Sequence, residues 1–168
     1  VQADPFSAGR QMNSHFGSRL INETGNWLDQ VKRKNSVSGI SPTAGQMARI
    51  AGLAQASKIY RSHIKLQSGK WKKFSDNGNE VVFGTIGDAS TSEGVFWETM
   101  NTLGVIQAPA VISVWDDGYG ISVPKKFQTT KESISEALSG MQRDKSTNGI
   151  EILKVKGWDY EDLITTYT

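Results

Sequence analysis

The 168-residue sequence contains no cysteine, which excludes a disulfide scaffold, a thiolate metal site and a cysteine nucleophile. Any bound metal must therefore take oxygen or imidazole ligands, and the only histidines are His15 and His63. Charge of one sign is also lacking, since 19 Lys and Arg stand against 17 Asp and Glu. The basic residues are dispersed rather than gathered on one expected element, so nucleic-acid binding is not expected. No apolar run approaches the roughly 20 residues of a membrane span. The first residues lack the charged and apolar regions of a signal peptide. A soluble, cytoplasmic protein without membrane association is expected. What is present is an ordinary globular composition, 37% hydrophobic, in a length that suits one domain, 1–168. Because the sequence opens on Val1 and closes just after Ile164-Thr165-Thr166, within an apparently helical stretch, it is expected to be a piece of a longer protein.

Pro5, Gly9, Gly17, Gly25 and Gly39 divide the opening segment, which predicts ordered loops rather than long periodic elements. After Pro42, the residues Met47, Ile50, Ala51, Ala54 and Ile59 recur near helical spacing and predict a buried helix over Ala44 to Ile64. Gln67 to Asn79 reads as an exposed loop or hairpin, with Asp76-Asn77-Gly78 as its turn. Val81 to Ile86 is short, β-branched and apolar on both faces, as a central parallel strand should be. A helix over Ser92 to Leu103, with Ser90 or Ser92 as cap, and a second buried strand over Ala110 to Trp115 follow. Lys131 to Met141 reads as a helix, Glu151 to Val155 as a third strand, and Asp159 as the cap of a last helix through Leu163. This alternation predicts an α/β fold with a doubly wound parallel sheet, covered on both faces and joined by right-handed crossovers.

Two acidic motifs close the two strands. Gly87-Asp88-Ala89-Ser90 ends the first, and Asp116-Asp117-Gly118-Tyr119-Gly120 ends the second, with Asp117 standing 29 positions after Asp88. Ligands of doubly wound sheets collect beyond the carboxyl ends of strands. Two carboxylates there suit Mg²⁺, which takes oxygen ligands, one or two of them carboxylates, and completes its shell with water and phosphate oxygens. Gly87, Ala89 and Ser90 are small enough to let backbone amides approach a phosphate at the start of the following helix. Taken singly, Asp88 reads as a helix cap and Asp116-Asp117-Gly118 as a turn.

Together and in this order, the motifs resemble the thiamine diphosphate signature, Gly-Asp-Gly followed at a fixed interval by Asn-Asn. The closer resemblance is to the α subunit, or α half, of the decarboxylating dehydrogenase component of 2-oxo acid dehydrogenase complexes, of branched-chain (2-oxoisovalerate) or pyruvate type. It is carried by Gly9-Arg10-Gln11-Met12-Asn13-Ser14-His15-Phe16-Gly17, by Ile40-Ser41-Pro42-Thr43-Ala44-Gly45-Gln46, and by Gly87-Asp88 with Asp117-Gly118-Tyr119-Gly120-Ile121-Ser122. The resemblance implies the thiamine diphosphate-binding fold, thiamine diphosphate and Mg²⁺ as cofactors, and a chain truncated at both ends relative to the family. It implies that Asp88, Asp117 and the Tyr119 carbonyl hold the metal, that Gly87, Ala89, Ser90 and Ile121 line the cofactor, and that Ser41 and Thr43 approach its pyrimidine end. His15 matches a histidine near the active-site entrance, where an imidazole could donate to a substrate carboxylate or transfer a proton. It is the candidate catalytic residue. Gly157-Trp158-Asp159 is similar to the family's late strand-to-helix turn; for Ser41 the alternative is a helix start before Pro42, and for Asp159 an N-cap.

The resemblance further implies a partner bearing the pyrimidine-binding domain, either a β subunit or a fused β half, a lipoyl-bearing acyltransferase component, a 2-oxo acid substrate and a homo- or hetero-oligomer. Departures from the family pattern are Ala89 for Gly, Asp116-Asp117 for Asn-Asn, Trp115 for an Arg that pairs with the diphosphate in branched-chain relatives, and Gly45 for a Thr associated with a potassium site. The second carboxylate should tighten bare-metal binding and repel an anionic cofactor. Readings kept open are an acetoin dehydrogenase or transketolase-like thiamine diphosphate enzyme, and a non-catalytic Mg²⁺ or nucleotide-binding module.

Overall fold

The computed structural model of the protein describes residues 17–168. His15 and the Gly9 to Phe16 part of its motif lie outside them. Residues 17–40 run as loops and turns with one antiparallel bridge, Ile21 to Trp27, as their Gly- and Asn-rich composition predicts. Helix α1 spans Gln46–Ser62 and strand β1 Val82–Gly87. Helix α2 spans Gly94–Ile106 and strand β2 Ala110–Trp115. Short antiparallel strands β3, Tyr119–Gly120, and β4, Val123–Pro124, form a small hairpin. Helix α3 is a single turn, Ile134–Ala137, and α4 covers Tyr160–Tyr167. Between α1 and β1 a 3₁₀ turn, Ile64–Gln67, precedes the expected loop and a second, Gly69–Lys73, lies within it, and the Asp76-Asn77-Gly78 turn forms as the sequence predicts.

Strands β1 and β2 pair in parallel, with Val82 opposite Ala110, Gly84 opposite Ile112 and Ile86 opposite Val114. Side chains alternate across a strand, so these residues share one face, and α1 and α2 pack on it. Met47 and Ile50 from α1 meet Phe96 and Met100 from α2 over Ile86, with Ile134 and Leu138 closing the cluster. Gly84 permits this approach: a β-carbon there would lie 2.3 Å from Ile50 Cδ1. On the opposite face, α4 contributes Tyr167, whose ring stands edge-on to Phe83 and whose hydroxyl hydrogen-bonds Ser113 at 2.7 Å. Among the described residues that face is otherwise open, with Phe83 58% and Trp115 68% exposed. The expected cover on both faces is therefore incomplete among the described residues. No described helix is long and apolar enough to cross a membrane.

Three expectations need correction. Glu151 to Val155 is not a strand: among the described residues no sheet edge pairs with it, and only Gln142 bridges Ile150 in parallel just before it. The parallel sheet therefore has two strands among the described residues. The helix expected over Lys131 to Met141 is broken, because Lys131 and Glu132 take left-handed φ of 62° and 51°, and Ser133 starts a new turn by accepting from the Glu136 amide. The helix expected from Ser92 begins at Gly94, preceded by a 3₁₀ turn over Ala89–Ser92 capped by Asp88 rather than by Ser90 or Ser92. By contrast, Asp159 caps α4 as expected, accepting from the Asp162 amide at 3.1 Å.

Candidate functional site

The parallel register places Gly87 beside Trp115 at the carboxyl ends of β1 and β2, and the Asp88 amide continues the ladder by donating to the Trp115 carbonyl at 3.1 Å. The two acidic motifs thus start from adjacent strand ends. Asp88 is only 4% exposed. One of its carboxylate oxygens accepts from the Ala89 amide at 2.8 Å, and its carbonyl accepts from Thr91, backbone at 3.1 Å and hydroxyl at 2.5 Å. A buried carboxylate is costly to desolvate, and the Ala89 amide bond compensates in part. The Thr91 bonds to the main-chain carbonyl fix the backbone that carries it beside a cleft.

That cleft, about 620 Å³, is lined by Thr43, Gly87, Asp88, Ala89, Ser90, Trp115, Asp117, Tyr119, Gly120, Ile121, Val123 and Gln128. A smaller cleft of about 210 Å³ shares Gly87, Ser90 and Trp115 and adds Gln46, Thr85 and Ile86. Of the residues expected at the site, the larger cleft gathers Thr43, Gly87, Asp88, Ala89, Ser90, Asp117, Tyr119 and Ile121. Ser41 lines neither cleft: it is exposed in the bend before the turn that leads into α1. Gly120, Val123 and Gln128 were not singled out by the sequence. Gly120 carried a signal in its Gly-x-Gly context, whereas Gln128 is brought in only by the turn after β4 and has none.

The second acidic motif is held by its own turn. Asp117 accepts from the Tyr119 amide at 3.0 Å, so one carboxylate oxygen sits directly over the backbone of the hairpin. Asp116 turns to Lys125, whose ammonium lies 2.9 Å from both carboxylate oxygens. With side chains 36% and 26% exposed, this pair adds on the order of 1 kcal/mol or less to stability. Ile121 has φ of 59° and is fully exposed, a strained backbone for a β-branched residue that projects from the hairpin tip at the cleft's edge.

The donor set of this cleft is oxygen alone: Asp88 and Asp117 carboxylates, the Tyr119 carbonyl and the Ser90 and Thr43 hydroxyls. Among the described residues no group of three or more His, Cys, Asp or Glu converges on a point. A self-sufficient protein cage for a transition metal is therefore not built there. Two carboxylates suit a hard cation that completes its shell with phosphate and water oxygens. A β-carbon at Gly87 would meet nothing within 4 Å, so the strand end opens onto free space beside these donors. The residues present fit Mg²⁺ carried with a diphosphate.

The architecture is that of an α/β protein with a cleft at the carboxyl ends of parallel strands. Within that class, the chain belongs to the dehydrogenase E1 component family, which matches it over residues 9–165. It is 30% identical over 138 residues to the 2-oxoisovalerate dehydrogenase subunit alpha of Bacillus subtilis (strain 168), covering 82% of this chain and 33% of that protein. It is 28% identical over 135 residues to the pyruvate dehydrogenase E1 component subunit alpha of Acholeplasma laidlawii, covering 76% of this chain and 34% of that protein. The pyruvate dehydrogenase E1 component subunit alpha of Staphylococcus aureus (strain Mu50 / ATCC 700699) is 30% identical over 81 residues, 48% of this chain and 20% of that protein. The chain spans about a third of the length of the first two relatives.

Proposed function

We propose that this chain is the Mg²⁺- and diphosphate-binding part of a thiamine diphosphate-dependent dehydrogenase component, acting in oxidative decarboxylation of a 2-oxo acid with acyl transfer to a lipoyl group. The carrying observation is that Asp88, Asp117 and Tyr119 line one cleft at the ends of two adjacent parallel strands. The likeness to subunits named for 2-oxoisovalerate and pyruvate supports that substrate class. Residues 1–168 act as one domain in this reading, within the doubly wound, thiamine diphosphate-binding version of the α/β fold. Its companions are a β subunit or fused β half carrying the pyrimidine-binding domain, and a lipoyl-bearing acyltransferase, in a homo- or hetero-oligomer. The location is cytoplasmic.

In this reading the Asp88 and Asp117 carboxylates and the Tyr119 carbonyl hold Mg²⁺. Ala89 and Ser90 face the diphosphate through a short turn whose small side chains allow close approach. Thr43 and Ile121 lie toward the rest of the cofactor, with Ser41 one turn behind. Thiamine diphosphate, when bound, supplies the electron sink for loss of CO₂ from the 2-oxo acid. His15, on the segment outside the described residues, donates a hydrogen bond to the substrate carboxylate or transfers a proton. Trp115, 68% exposed at the strand end, offers an apolar wall and no charge to the diphosphate.

The test is calorimetric titration of thiamine diphosphate with Mg²⁺ into the full-length parent protein and its Asp88→Ala and Asp117→Ala variants, with decarboxylation of 2-oxoisovalerate and pyruvate followed in parallel. Metal-dependent binding and turnover, each lost by roughly a hundredfold or more in Asp88→Ala as for an essential metal ligand, is the expected result. Binding unchanged in both variants, or tighter binding of ATP than of thiamine diphosphate, would overturn it in favour of a nucleotide module.

A further inference from the structure

One carboxylate flanks the cleft without lining it: Asp88 and Asp117 line it, whereas Asp116, the neighbour of Asp117, does not. A diphosphate in the cleft would bring further negative charge beside all three, and like charges in a partly desolvated site oppose one another. Among the described residues, Lys125 is placed to offset Asp116. Lys125, just after β4, holds both Asp116 oxygens at 2.9 Å, while its own amide donates to the Gly118 carbonyl at 2.9 Å. The neighbouring Lys126 sits over the Phe127 ring instead, 5.0 Å from its centroid.

The Gly118 bond is made by the main chain and adds to what the side chain does through the ion pair. Gly118 lies between Asp117 and Tyr119, the two residues that present the second carboxylate and the backbone carbonyl. Lys125 therefore grips the turn on both sides of Asp117, through the Asp116 side chain before it and the Gly118 carbonyl after it. The Gln128 and Thr129 amides in turn donate to the Lys125 carbonyl at 2.9 Å, anchoring the lysine backbone.

We propose that Lys125 is the positioning residue that makes an Asp116-Asp117 strand end compatible with an anionic ligand, by neutralising Asp116 and fixing the turn that presents Asp117 and Tyr119. This rests on the reading of the cleft as a metal–diphosphate site. Its signature is a crossover in sign. Freed from Lys125, Asp116 adds an uncompensated negative charge, which favours a bare cation and disfavours a cation that arrives with diphosphate.

The experiment uses the full-length parent protein and two probes, Mg²⁺ alone and Mg²⁺ with inorganic pyrophosphate, titrated calorimetrically into wild type, Lys125→Met, Lys125→Arg, Asp116→Asn and the Asp116→Asn/Lys125→Met double variant. Lys125→Met is expected to weaken Mg²⁺–pyrophosphate about tenfold and to tighten bare Mg²⁺ about threefold, as removal of one nearby charge should. Lys125→Arg and the double variant should return both affinities to within about threefold of wild type. Asp116→Asn should shift both in the opposite directions to Lys125→Met, and it reads the same charge if Lys125→Met does not fold. Equal loss for both probes, no change in either, or no pyrophosphate binding by wild type would overturn the proposal. A crossover seen with pyrophosphate in a protein that refuses thiamine diphosphate would keep the role of Lys125 and sink the proposed cofactor.

Discussion

At the scale of single residues, Gly120 shows how closely the hairpin approaches the first acidic motif. A β-carbon on it would stand 2.5 Å from the Ala89 β-carbon and under 3 Å from the Gln128 amide group, whose nearer atom lies at 2.7 Å. Gln128 can swing away, whereas Ala89 is fixed on the 3₁₀ turn. Gly120→Ala is therefore expected to destabilise the protein by about 1–3 kcal/mol through overpacking, and Ala89→Gly in the same chain should recover part of the loss. Urea denaturation of the single and double variants measures that coupling. The departure of Ala89 from a Gly-Asp-Gly pattern is thus accommodated by a glycine on the facing strand. A different residue-scale expectation concerns Asp144, whose carboxylate accepts from the backbone and hydroxyl of Ser146 and from Thr147, which lowers its pKa to about 2. Because the folded value lies below the ordinary one, its contribution is complete above about pH 4 and is lost as the pH falls through about 2. Carboxyl-carbon NMR should find a midpoint near 2 for Asp144, moving upward in Ser146→Ala as a hydroxyl donor is lost. An unshifted Asp144 would refute that network.

At the scale of elements, the helices and strands with a clear apolar period appeared where the sequence placed them. Met47, Ile50, Ala51 and Ala54 are buried on α1, whereas Ile59, expected with them, is 41% exposed; β1 and β2 fall within a residue of the expected ranges. The misreadings occurred where local pattern is weak and backbone conformation decides. Lys131 and Glu132 carry no signal for left-handed φ, yet that conformation splits the helix expected there. Glu151 to Val155 has strand-like residues but no strand beside it, and a strand exists only in a pairing. Asp159 illustrates the opposite case, a cap readable from residue type alone. Asp159→Ala is expected to cost about 1 kcal/mol, confined to α4 and to the Tyr167 contact with Phe83 and Ser113. Faster amide exchange in 160–167, with α1 and α2 unchanged, is the measurement that checks it.

At the scale of the whole molecule, the core lies between one face of the β1–β2 pair and the α1–α2 layer, and among the described residues Tyr167 is what reaches the other face. Phe83 and the neighbouring Val111, and beyond the Thr85–Ser113 pair Trp115, leave exposed apolar surface along that second face. Large exposed apolar patches mark contact surfaces or aggregation hazards. The folded chain by itself is accordingly expected to bind anilinonaphthalene sulfonate at neutral pH with its native near-ultraviolet circular dichroism intact, and Phe83→Ser/Val111→Thr should reduce that fluorescence. Dye binding that rises only on unfolding would show that surface to be covered.

What the sequence determined by itself was chemical and periodic. The lack of cysteine restricted any metal to oxygen or nitrogen ligands, the apolar periods fixed α1, β1, α2 and β2, and Asp88 and Asp117 marked the strand ends. Those signals are local, so residue type and spacing carry them. Tertiary structure decided which of the marked residues meet: it brought Thr43, Asp88, Asp117 and Ile121 to one cleft, left Ser41 outside, and added Gly120 and Gln128. It also paired Asp116 with Lys125. Neighbouring carboxylates look alike in a sequence, and only the tertiary placement of each side chain and the reach of a lysine nine positions on separate a carboxylate lining the cleft from one held in an ion pair.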